Sequence, residues 1–108
     1  MAIQTAGMLL DGCVLSLLSR ADEYGYSLTQ RVKLDLGVSE STLYPVMRRL
    51  QTEKCLTAYD ISHNGRNRRY YRITPQGVAK YRECLAEWNN FKKRVDKIME
   101  GNQNYEQN

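Results

Sequence analysis

At 108 residues, 42% hydrophobic and 26% charged, the chain has the length and composition of one globular domain, with a core small enough to benefit from a partner subunit. Sixteen Lys and Arg against twelve Asp and Glu leave +4, a modest excess whose placement says more about an anionic partner than its size does. A single His63, three scattered cysteines (Cys13, Cys55, Cys84), no Gly-rich phosphate loop and no paired carboxylates argue against a zinc site, a disulfide framework or an active site, so neither enzyme activity nor a metal or cofactor is expected.

The first expected element is an apolar helix over residues 4–19. Met8, Leu9, Leu10, Val14, Leu15, Leu17 and Leu18 occupy almost its whole circumference, which predicts burial on several sides, partly against another subunit. The run 6–18 is shorter than a bilayer span, contains Asp11 and lacks a preceding positive charge. It is read as a buried helix of a cytoplasmic protein that makes no membrane contact. A polar connection over 20–25 leads to a second helix over 27–34, with Ser27 as its cap, Leu28, Val32 and Leu36 facing inward, and Gly37 ending it.

A third helix is expected over 39–53, capped by Ser39 or Ser41. Leu43, Val46, Met47 and Leu50 share its core face. Ser41, Pro45, Arg48 and Thr52 lie opposite, flanked by Thr42, Tyr44 and Arg49, so the outward set is hydroxyl, aromatic and arginine. Pro45 falls near the first turn, where a missing N–H costs little.

Strands over 56–61 and 68–73 flank Asn64-Gly65, a strong hairpin signal. Between residues 48 and 72 lie Arg48, Arg49, Lys54, Arg66, Arg68, Arg69 and Arg72, against Glu53 and Asp60 alone. A cationic hairpin behind a short amphipathic helix is the layout of a winged helix-turn-helix, and nucleic acid is the acidic partner it suits. Thr74 caps and Pro75 opens a last, long helix. Along it Tyr81, Trp88 and Val95 repeat on one seam and Cys84, Phe91 and Ile98 on the other, more apolar surface than one small core covers, so the helix should pair across a dimer. The expected organisation is a winged helix-turn-helix DNA-binding domain over 1–74, a C-terminal dimerisation helix over 75–100 and a disordered tail over 101–108. The fold class is mainly α with a small β-hairpin.

Three segments together carry a family resemblance: Tyr24-Gly25-Tyr26-Ser27-Leu28, then Ser41-Thr42-Leu43-Tyr44-Pro45-Val46-Met47-Arg48-Arg49-Leu50, then Arg68-Arg69-Tyr70-Tyr71-Arg72-Ile73-Thr74-Pro75. With Trp88 following in the last helix, the chain resembles the PadR family of bacterial transcription regulators, and specifically its short members with one C-terminal helix. The resemblance implies a dimeric winged helix-turn-helix repressor of its own or a neighbouring operon. One departure falls at Cys55, where family members often carry Gly, so the helix must continue briefly or the turn must strain there.

On this reading the helix over 39–53 enters the major groove and the hairpin meets backbone or minor groove. The expected DNA-binding residues are Ser41, Thr42 and Tyr44 through their hydroxyls, Arg48 and Arg49 to phosphate or guanine, and Arg66, Asn67 and Arg68 at the wing. Pairing of the arginines with Glu53 or Asp60, and packing of Tyr44 beside the hairpin, are the competing structural roles. Strand alternation sends only one of Tyr70 and Tyr71 to the core. The dimer interface is expected to involve Met8, Leu15, Tyr81, Trp88, Phe91 and Val95. Trp88 either packs there or, as in some relatives, lines a cavity for a planar aromatic effector. The expected function is a homodimeric repressor on double-stranded inverted-repeat DNA, released by such an effector where one exists. The alternatives are a winged-helix protein-interaction module without sequence-specific DNA binding, and a DNA binder that senses redox state through Cys13 or Cys84.

Overall fold

The computed structural model describes residues 5–106. In chain order the elements are α1 (Thr5–Arg20), β1 (Glu23–Tyr24), α2 (Gly25–Leu36), α3 (Glu40–Thr52), β2 (Leu56–His63), β3 (Arg66–Ile73) and α4 (Pro75–Glu106). The strands form one antiparallel sheet in the order β1-β3-β2.

The core is built where the periodicity put it. Val14, Leu15 and Leu18 of α1, Leu28 and Val32 of α2, and Leu43, Val46, Met47 and Leu50 of α3 bury together with Cys55 and Leu56. From the sheet, Tyr71 and Ile73 pack on this cluster. Their alternation partner Tyr70 faces the other side, ring to ring with Tyr24 and Tyr59 at 5.7 Å each.

Several boundaries differ from the sequence expectation. The second helix begins at Gly25 and Ser27 does not cap it: Tyr24 is the N-cap residue, extended at φ −64°, ψ 127°, with no side-chain hydrogen bond. Tyr24 is fixed there because it pairs with Tyr70 in a two-residue strand, a long-range contact with no local signature. Leu36, expected inside, is 48% exposed. Gly37 ends α2 in the left-handed region (φ 70°) and donates its N–H to the Lys33 carbonyl, as expected of a helix stop. Both hairpin strands are longer than expected and register His63 against Arg66, leaving Asn64 (φ 51°) and Gly65 (φ 76°) as a two-residue turn of the type that matches strand twist. Thr74 Oγ1 accepts the Gly77 N–H at 3.0 Å at the start of α4. That helix continues past residue 100 to Glu106, where a disordered tail over 101–108 was expected; Gly101 alone does not interrupt it, and residues 107 and 108 lie outside the described residues.

Candidate nucleic-acid interface

The N-terminus of α3 is a cluster of hydroxyls. Ser39 is the N-cap residue and accepts the Thr42 N–H at 3.2 Å. Its Oγ also lies 2.9 Å from both Ser41 Oγ and Thr42 Oγ1. The first-turn N–H groups and the positive end of the helix dipole suit phosphate. Glu40 is turned back to α2, accepting from Gln30 Nε2 at 2.6 Å and lying 3.8 Å from Lys33 Nζ, so it does not oppose an anion directly. Ser41, Thr42, Tyr44, Pro45, Arg48 and Thr52 are all exposed. Pro45 lies in the second turn rather than the first, and its missing N–H leaves the Ser41 carbonyl without its usual helical donor.

The two arginines of α3 have different surroundings. Arg48 makes no ion pair among the described residues, whereas Arg49 grips Asp11 of α1 with both guanidinium ends, at 2.9 and 2.5 Å. Asp11 is only 4% exposed. Glu53 lies 3.6 Å from Arg49, and Lys80 of α4 bridges Glu53 at 2.8 Å and Asp11 at 3.5 Å. Two acids and two bases thus tie α1, α3 and α4 at one point. The Asp11 hydrogen bond raises the Arg49 pKa further, and the Lys80 hydrogen bond holds the Glu53 carboxyl below its usual range. Burial opposes the Lys80 charge, but its hydrogen bond to Glu53 and the two nearby carboxylates outweigh that and raise its pKa.

At the wing, Arg66 and Asn67 are exposed beside the turn. Arg68 stacks over Tyr24 with its guanidinium carbon 5.0 Å from the ring centre. The cations nearer the sheet are neutralised: Arg69 pairs with Asp60 at 3.4 Å, and Arg72 pairs with Asp22 at 3.0 Å while lying over Tyr59. Among the described residues, the cations between 48 and 72 that make no ion pair are therefore Arg48, Lys54, Arg66 and Arg68.

A second feature lies on the opposite side of α1, where α1 and α4 cross. Gly12 lets them approach closely, since a Cβ there would stand 3.1 Å from the Cys84 Cβ. Beside this contact opens a mostly apolar groove of about 720 Å³ that includes Met8, Cys13, Leu17, Tyr81, Cys84 and Trp88. Of the expected interface residues, Met8, Tyr81 and Trp88 meet in this groove. Leu15 does not, because it is wholly buried in the chain's own core, and Phe91 and Val95 lie half-buried further along α4. Burial raises the thiol pKa of Cys13 and of Cys84.

Sequence reasoning missed Asp11, Asp22, Tyr24 and Lys80 as parts of this architecture. A carboxylate inside the otherwise apolar run 6–18 was the available signal for Asp11; the other three depend on contacts between distant segments.

The model of the transcriptional regulator PadR-like family matches residues 14–83. An uncharacterised protein of Lysinibacillus sphaericus is 39% identical over 98 residues, which covers 85% of this chain and 89% of that protein. A crystal structure from Streptococcus mutans is 35% identical with a TM-score of 0.82, covering 94% of this chain and 95% of the other. A PadR-like transcriptional regulator from Bacillus cereus is 29% identical with a TM-score of 0.76, over 90% of this chain and 97% of its own.

Proposed function

The chain belongs to the PadR-like family of transcriptional regulators, which bind DNA, and from that premise we propose that it is a homodimeric repressor of its own or a neighbouring operon. The observation that carries the DNA face is the uncompensated Arg48 on the exposed, carboxylate-poor side of α3, next to a hydroxyl-rich helix start and a wing bearing Arg66 and Arg68. Ser41, Thr42, Tyr44 and Arg48 meet the major groove, and Arg66, Asn67 and Arg68 meet phosphate or the adjacent minor groove.

Dimerisation through α4 and the outer side of α1 is supported by the apolar groove and by Ile98 and Met99, each 72% exposed near the far end of α4. Surface of this kind on a small chain is stabilised by a partner. The same groove, with Trp88 and Tyr81 in its wall, suits a planar aromatic effector. Such a ligand releases DNA only through different affinities for the bound and free arrangements of the two recognition helices. No helix among the described residues is long and apolar enough to cross a membrane, and the protein works where the genome is, in the cytoplasm.

The deciding experiment is anisotropy titration of DNA from upstream of the protein's own gene at two salt concentrations, beside an Arg48→Ala variant, with mass determined by light scattering. Tight, salt-sensitive binding by a dimer that the variant loses supports the reading. Binding no stronger than to random duplex, or a monomer at working concentrations, rejects it.

A further inference from the structure

Seven cations lie between residues 48 and 72, yet the fold treats Arg48 and Arg49 in opposite ways. The Arg49 partner is a built site: Asp11 is buried, both of its carboxylate oxygens receive a guanidinium N–H, and Lys80 completes its surroundings. Swinging Arg49 out to a phosphate would leave a buried carboxylate short of its main partner, which is strongly unfavourable. The helical turn also separates the two arginines by about 100°. Arg49 thereby leans towards the buried Val46, although its side chain remains 42% exposed.

We propose that Asp11 is a positioning residue for DNA binding: it keeps Arg49 in the scaffold, so that the recognition helix brings one arginine, Arg48, to the phosphates rather than two. The adjacent Arg48-Arg49 pair overstates the charge that α3 presents to DNA. Fewer non-specific phosphate contacts lower affinity for random duplex and widen the gap to an operator. The same carboxylate anchors α3 to α1 directly and to α4 through Lys80. Asp11 therefore acts through Arg49 and touches no DNA itself. The proposal rests on DNA binding alone and needs neither a dimer nor an effector.

The test is the salt dependence of binding to a random-sequence duplex, read as the slope of log affinity against log KCl concentration. Each phosphate contact contributes about 0.9 to that slope. Arg48→Gln should make it shallower by about 0.9 per subunit, while Arg49→Gln should leave it unchanged. Asp11→Asn should release Arg49 and steepen the slope by about 0.9 per subunit, and Asp11→Asn/Arg49→Gln should restore the wild-type value. A merely structural Asp11 would lower affinity at every salt concentration without steepening the slope. The proposal is overturned if Arg49→Gln flattens the slope as Arg48→Gln does, or if a folded Asp11→Asn protein keeps the wild-type slope. Should Asp11→Asn not fold, the Arg49→Gln slope decides, unchanged in favour and shallower against.

Discussion

Lys54, and not Cys55, takes the left-handed turn that ends α3 (φ 63°), and Cys55 follows it into the core at 2% exposure. The Cys55 N–H reaches back to the Leu50 carbonyl at 2.8 Å and the Lys54 N–H to the Gln51 carbonyl at 3.0 Å, the paired bonds of a Schellman stop. The strain expected at Cys55 therefore sits one residue earlier, on a side chain that penalises the left-handed region. Lys54→Gly should stabilise the protein by about 0.5–1 kcal/mol and raise Tm by roughly 4 °C. A thermal melt with unchanged or lower Tm would show that Lys54 earns its place through a contact stronger than the strain it carries.

Gly77 is needed for a different reason, namely space. A Cβ at that position would stand 2.2 Å from the Cys55 carbonyl oxygen and 2.7 Å from Ile73 Cγ1. The backbone there cannot yield, because Cys55 already accepts the Thr74 N–H at 3.0 Å. Gly77→Ala should cost more than about 2 kcal/mol even though alanine favours helix, since overpacking outweighs propensity. Urea unfolding compared with Ala79→Gly, at an exposed position of the same helix, separates the two effects. If Gly77→Ala instead gains about as much stability as Ala79→Gly loses, helix propensity governs the site and the packing argument is wrong.

Local chemistry made α3, the Asn64-Gly65 turn and the Thr74-Pro75 helix start readable from the sequence, because each is fixed by residues within one turn of itself. The core face of α3 and, apart from Leu36, that of α2 were readable for the same reason, through their spacing. What escaped were pairings across long stretches of chain: Tyr24 with Tyr70, Asp22 with Arg72 and Tyr59, and Asp11 with Arg49. Each of these gives a residue expected to be solvated or DNA-facing a partner within the chain. Leu15 erred the other way, since a helix apolar all round does not reveal which side meets its own core and which meets a partner.

The ion cluster predicts a pH dependence whose sign follows from Glu53. Its carboxyl titrates below the usual range when folded, chiefly through the hydrogen bond from Lys80. A lowered carboxylate contributes stability that is present above the unfolded value of about 4.3 and disappears as pH falls through the folded value. Glu53→Gln should therefore unfold more easily than wild type at neutral pH and converge with it in acid. The side chain is 39% exposed, so screening keeps the difference under about 1 kcal/mol. Urea titrations at pH 7 and in the acid limb check this, and a gap that stays constant between them would remove Glu53 from the acid response.

Cys13 offers a direct reading of the groove, because its half-exposed thiol lines the same wall as Trp88 and is pushed up in pKa by burial. A thiol held protonated alkylates slowly, so maleimide should modify Cys13 well below the rate of a free cysteine. A planar aromatic seated against Trp88 should quench its fluorescence. At ten times its Kd it should also slow Cys13 labelling by about tenfold, since only the unoccupied fraction reacts. Trp88→Ala should remove the protection of Cys13 by the aromatic compound. Labelling that slows with protein concentration, and not with the aromatic compound, would instead assign the groove to the partner subunit alone. In that case the repressor reading would stand without an effector, because the DNA face draws on Arg48, Arg66 and Arg68, none of which lines the groove.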